Sequence, residues 1–125
     1  MPQPLKLPQL NVVMLCGRLV AEPHPLTAAG DREGSAFTLA MNRSPGRGKP
    51  AISTFVDCIC WGDTAKAVNA YLTTGSPVMV TGALAQYEKK GAKGPAKKAL
   101  QVSVSAVQFL APRPDQPEVD DEQPT

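Results

Sequence analysis

Aromatic side chains are scarce in this chain: one Trp, two Tyr and three Phe among 125 residues. Rings carry much of the apolar payload of cores and interfaces, so each of the six is a candidate either for the core or for a task at the surface. Histidine is scarcer still, a single His24 flanked by Pro23 and Pro25. No phosphate loop, G-x-S-x-G or H-E-x-x-H motif occurs, and Asp57 and Asp63 are too few for a two-metal centre. The chain therefore reads as a binding protein and not as an enzyme. The three cysteines are an odd number; Cys58 and Cys60 share a strand face, but zinc prefers C-x2-4-C spacing and four ligands, and only Cys16 and His24 remain. No metal and no cofactor is expected, and reduced buried thiols are favoured over disulfides. Long apolar runs are missing too. The longest uncharged stretch, residues 67–87, is interrupted by Thr73-Thr74-Gly75-Ser76-Pro77, whereas a membrane span needs about 20 mostly apolar residues. The opening residues Met1-Pro2-Gln3-Pro4-Leu5-Lys6 have neither the apolar core of a signal peptide nor an Arg-rich transit pattern, so the expected location is the cytoplasm, associated with the nucleoid, with no membrane partner.

What is abundant is proline and an uneven charge. Seven of the 13 prolines fall in residues 2–8 and 112–124, which marks two tails. The net charge of +2 conceals +6 in residues 1–110 and −4 in residues 111–125. A basic body suits a polyanionic partner, and an acidic Pro-rich end suits a solvated interaction tail. The expected division is a flexible segment over 1–9, one folded domain over 10–110, and a disordered tail over 111–125.

Within the body apolar residues alternate more often than they recur at helical spacing, which predicts strands over 11–20, 35–42, 53–61, 76–86 and 100–110. The first is expected to be buried on most of both faces, with Gly17 marking a bend or a close backbone approach. In the third, Val56, Cys58 and Cys60 oppose Phe55, Asp57, Ile59 and Trp61. In the last, Val107 and Phe109 fall out of phase with Leu100, Val102 and Val104, which points to a bulge. Between the first two runs, Glu22-Pro23-His24-Pro25 and Ala28-Ala29-Gly30-Asp31 predict a surface loop. One helix is expected near 63–72, capped by Asp63, with Ala65, Val68, Tyr71 and Leu72 as its buried stripe and Gly75 at its end. Three strands, a short helix and two strands are the element order of an all-β five-stranded Greek-key barrel, the OB-fold.

Two connections concentrate the cations. Residues 43–50 hold Arg43, Arg47 and Lys49 with no acid, and residues 88–98 hold Lys89, Lys90, Lys93, Lys97 and Lys98 against Glu88. Mobile cations that follow phosphates, together with rings that stack on unpaired bases, are what a single nucleic acid strand requires. Arg18, a cation on a strand, joins the phosphate-contacting candidates. Phe37 and Phe109 read as core or subunit interface.

With these elements in order, the chain resembles the bacterial single-stranded DNA-binding (SSB) family. The resemblance rests on Asn11-Val12-Val13-Met14-Leu15-Cys16-Gly17-Arg18-Leu19 followed by Glu22-Pro23, on Ala36-Phe37-Thr38-Leu39-Ala40-Met41-Asn42-Arg43, on residues 55–62, on residues 71–84, and on the acidic end. It implies an OB-fold that assembles as a homotetramer and wraps single-stranded DNA without sequence preference in replication, recombination and repair. It also implies stacking rings, at Phe55, Trp61 and Tyr87. The acidic tip Asp120-Asp121-Glu122-Gln123-Pro124 matches the part of the family tail that docks replication and repair proteins. Here it ends in Thr125 in place of the family's phenylalanine, which removes the apolar anchor. The connection over 43–50 lacks the tryptophan that many members carry near its start. An OB-fold protein adapter in a replication-restart complex and an RNA-binding OB-fold are the competing readings.

Overall fold

The computed structural model describes residues 4–89, 94–95 and 97–110. Six strands and one helix follow the chain: β1 (Val13–Leu19), β2 (His24–Ala28), β3 (Arg32–Arg43), β4 (Ile52–Trp61), α1 (Asp63–Tyr71), β5 (Pro77–Lys89) and β6 (Lys97–Phe109). The strands are ordered β1-β5-β6-β4-β3-β2, and β1 also pairs with β3 through Arg18↔Ala40 and Leu19↔Leu39. That second pairing closes five strands into a barrel with the helix between β4 and β5, the OB-fold. Closure brings the β1 and β3 backbones so near that a Cβ on Gly17 would lie 2.6 Å from the Ala40 carbonyl oxygen. Gly17 is thus a close approach, as its place in an apolar strand suggested.

Alternation decides what the barrel encloses. Leu19, Phe37, Leu39, Cys58, Cys60, Val78, Val80, Val102 and Val104 point inward, and α1 contributes Ala65, Val68 and Leu72. On β6 the inward phase changes between Val104 and Val107. Thr81 pairs with Ala106 while the next residue, Gly82, pairs with Val104, so Ser105 is the extra residue of a bulge, and its hydroxyl donates to the Thr81 carbonyl at 3.1 Å.

Several expectations are corrected. The segment predicted as a loop contains β2, which pairs antiparallel with β3 from His24↔Ala36 to Ala28↔Arg32. Its one proline, Pro25, is compatible with pairing because β2 is an edge strand, where a missing N–H can face away from the ladder. The N-cap of α1 is Gly62, with φ of 71° and no side-chain cap bond; Asp63 is the first helical residue. The last helical turn closes through the Leu72 N–H to the Val68 carbonyl, and Gly75 lies beyond it with its own N–H donated to Leu19. Tyr71 is 58% exposed, edge-on to Phe109 at 6.2 Å between ring centroids, so the buried stripe is Ala65, Val68 and Leu72. Lastly, β1 is buried on one face only: Met14 is 64% exposed and Cys16 and Arg18 are also exposed, because among the described residues no other element covers the outer surface of β1.

Candidate nucleic-acid interface

The outer face of β4 carries Phe55, Asp57, Ile59 and Trp61, as alternation predicted. Phe55 projects to solvent and is 64% exposed. It pairs with Ala40, which on its other side pairs with Arg18. Phe55, Ala40 and Arg18 thus form one cross-strand row. Arg18 is braced there, its Nη1 donating to the Gly75 carbonyl at 2.8 Å.

Sheet pairing brings Tyr87 to the same level. β4 and β6 run parallel, with Cys58 opposite Val102, so Phe55 falls level with Ala99, and Ala99 pairs with Tyr87. The Tyr87 hydroxyl donates to Asp57 Oδ2 at 3.0 Å, and Thr38 donates to Asp57 Oδ1 at 3.0 Å. Asp57 thereby fixes one ring of the face and keeps a carboxylate in the middle of it. Hydrogen bonding to Asp57, with lesser contributions from burial and from the carboxylate charge, raises the Tyr87 phenol above its ordinary value of 10. The neutral, donating phenol is the form favoured by a neighbouring carboxylate.

Two contiguous depressions run through this region and share Asp57 and Gln101. The larger, about 480 Å³, reaches from Tyr87 across Thr38 and Ala36 to His24 and Glu22. The smaller, about 260 Å³, is walled by Phe55, Leu84 and Leu100. Both depressions are lined more by apolar than by polar surface, with the Asp57 carboxylate where they meet.

The parallel pairing also decides where the cations go. Arg43 pairs with Ile52 at the start of β4, and Arg47 and Lys49 lie in the exposed connection that follows, turned by a Lys49 N–H to Gly46 carbonyl bond. Lys97 and Lys98 open β6 and are exposed, with Lys97 paired to Lys89 and Lys98 to Glu88. Both basic connections thus emerge at the Phe55 end of the sheet. Lys90 and Lys93, and the tail residues Asp120, Asp121, Glu122 and Pro124, fall outside the described residues. Among the described residues, no three His, Cys, Asp or Glu side chains gather where they could hold a metal ion.

Trp61 lies apart from this cluster. Six residues along β4 from Phe55, at about 3.3 Å per residue, put it roughly 20 Å away, opposite Gly34. Its indole lies across Gly34, where a Cβ would come within 2.5 Å of Cε3 and Cζ3. The guanidinium of Arg32 sits over the ring, 5.4 Å from its centroid. Phe55 and Tyr87 thus share one end of the face and Trp61 occupies the other, so a strand touching all three would run along β4 and not simply between two loops. The sequence pattern had no means of finding Arg32 or the Asp57 bonds. Arg32 sits in the segment expected to be loop, and its link to Trp61 follows only from the β3–β4 register.

Residues 10–110 match the model of the single-strand binding protein family. The chain belongs to that family. Among its relatives are the single-stranded DNA-binding protein of Bacillus cereus, 32% identical over 105 residues, and single-stranded DNA-binding protein 1 of Staphylococcus aureus, 33% identical over 106 residues. Each alignment takes in 83% of this chain, but only 62% and 63% of the relative's own length. The fold of this family member is shared with a solved structure described as the Plasmodium falciparum SSB complex with ssDNA. That superposition has a TM-score of 0.72 at 22% identity and covers 85% of this chain and 99% of the other.

Proposed function

We propose that this family member binds single-stranded DNA without sequence preference, as a cytoplasmic, non-enzymatic protein that protects the strand during replication, recombination and repair. The observation that carries this reading is the Phe55 end of the outer face. There an exposed ring and a second ring held by Asp57 line adjoining depressions, and the cations Arg43, Arg47, Lys49, Lys97 and Lys98 leave the same end of the sheet. Rings supply stacking that tolerates any base, and cations neutralise phosphates. Lys89, Lys90 and Lys93 extend the same positive hairpin in sequence, and Arg18 adds a cation in the row of Phe55. Duplex DNA keeps its bases stacked and offers such rings no faces.

Assembly as a homotetramer belongs to the same proposal. It is supported by the uncovered outer side of β1, where Val12, Met14 and Cys16 are exposed beside the β5 residues Met79 and Thr81. Scattering at a mass four times the 13.2 kDa chain is the expected result. The acidic segment Asp120-Asp121-Glu122 with Pro124 is proposed to meet replication and repair proteins.

The deciding experiment titrates fluorescein-labelled oligo-dT with the protein by anisotropy at several salt concentrations, with duplex DNA and oligo-U as competitors. Expected are binding of oligo-dT, weak competition by duplex, and a log-log salt slope of roughly −0.7 for each phosphate neutralised. Replacing Lys97 and Lys98 by Gln flattens that slope. Absence of binding, or binding indifferent to salt, refutes the reading in favour of a protein adapter; preference for oligo-U makes RNA the ligand.

A further inference from the structure

Trp61 is the one ring of the outer face whose surroundings argue against plain stacking on a base. The indole is laid against backbone at Gly34, and a guanidinium stands over it. A base arriving at this end of β4 meets Arg32 together with the ring. Arg32 is itself exposed, and among the described residues it makes no ion pair, so no carboxylate there neutralises it. It is the first residue of the row Arg32, Gly34, Ala36 on β3, which lies on the same outer face as Trp61. A guanidinium is planar, weakly hydrated and permanently charged, and it stacks on aromatic faces while keeping its edge N–H groups available to phosphate.

We infer that Arg32 is the nucleic-acid contact at this end of the face, with Trp61 as its positioning residue beneath. The inference rests on the single-strand reading above and deepens it. The guanidinium plane, held level by the indole, accepts a base on one side and donates from its edge to the backbone phosphate beside that base. A strand anchored by stacking between Phe55 and Tyr87, with the basic connections over its phosphates, extends along β4 and finds its next anchor at Arg32, about 20 Å on. The lack of a side chain on Gly34 serves the same end, since any Cβ there lifts the indole and the guanidinium with it.

The test compares wild-type protein with Arg32→Ala, Arg32→Lys and Trp61→Phe in the oligo-dT titration, with circular dichroism melts as a folding control. Arg32→Ala is expected to raise Kd about tenfold, within the range found for the loss of one stacked contact, and to lower the magnitude of the salt slope by about 0.7. Arg32→Lys is expected to restore the slope but not the affinity, because it keeps the charge and loses the plane. Trp61→Phe, which retains a ring under the guanidinium, changes Kd less than Arg32→Ala does. Wild-type protein that binds while Arg32→Ala binds equally well or more tightly overturns this assignment alone, leaving Arg32 a mere cover on the indole. Equal behaviour of Arg32→Lys and wild type in both readouts reduces Arg32 to a point charge and overturns the stacking role. A wild-type protein that does not bind oligo-dT overturns the assignment along with the single-strand reading.

Discussion

Two phenylalanines, Phe55 and Phe37, lie on opposite faces of neighbouring strands and give opposite predictions. Phe37 is 5% exposed within the barrel core and Phe55 is 64% exposed on the outer face. Truncating a buried Phe to Ala costs about 3 to 5 kcal/mol. For a domain of roughly 100 residues each kcal/mol moves Tm by about 4 to 8 °C, so Phe37→Ala is expected to melt at least 12 °C lower or to fail to fold. Phe55→Ala gives up a ring that solvent already reaches and is expected to shift Tm by no more than a few degrees. Its cost falls on binding, where one base stack is worth roughly 1 to 3 kcal/mol, equivalent to about fivefold to 150-fold in Kd. Calorimetry with oligo-dT anisotropy at one fixed salt concentration reads both quantities. If Phe55→Ala loses stability as Phe37→Ala does, the ring is covered in the assembled protein. If it melts normally and binds normally, Phe55 is no stacking partner and the groove beside it is not the path of the strand.

The remaining predictions concern groups whose ionisation the fold perturbs. Burial, aided by the nearby Asp57 and Cys60, pushes the Cys58 thiol up to about 12, and burial pushes Cys60 up to about 11. Native protein at pH 8 is therefore expected to keep Cys58 and Cys60 unreactive toward Ellman's reagent, so that at most Cys16 reacts fast, and to give three thiols after denaturation; three fast thiols in the native state would contradict the closed core. Because both buried thiols have raised values, the stability tied to their neutral forms is intact below pH 9 and is lost as pH rises from 9 to 12. Denaturant midpoints measured over that range should fall, and fall less in Cys58→Ala. The phenol of Tyr87 follows the same sign, neutral and bonded below pH 10 and released above its raised value. In a Tyr71→Phe background, Asp57→Asn should bring the 295 nm titration of Tyr87 back toward 10, and an unchanged curve would mean that the bond to Asp57 does not form in solution.

The barrel was legible because strand alternation is a local property. Inward Phe37, Leu39, Cys58 and Cys60, outward Phe55, Asp57 and Trp61, and the phase change on β6 all follow from a side-chain period of two, which any single strand displays without its neighbours. The strand β2 is not legible because Pro23 and Pro25 argue against pairing in general; Pro23 lies just outside the strand, and the position of β2 at the sheet edge makes Pro25 harmless. Tyr71 was misplaced because helical spacing puts it near the buried stripe, while the width of that stripe depends on how far β3, β4 and β6 reach around α1.

The candidate site divides in the same way. By itself the sequence determined that the protein is a small β-barrel, which residues face outward on β4, and that the cations are gathered into two connections, since composition and alternation are written residue by residue. Tertiary structure alone decided that both connections leave the same end of the sheet, that Tyr87 is tied to Asp57, and that Arg32 rests on Trp61 over Gly34. Each of these depends on cross-strand register and on the parallel pairing of β4 with β6. Register is a relation between segments far apart in the chain, set by which strands close the barrel, and no single segment contains it.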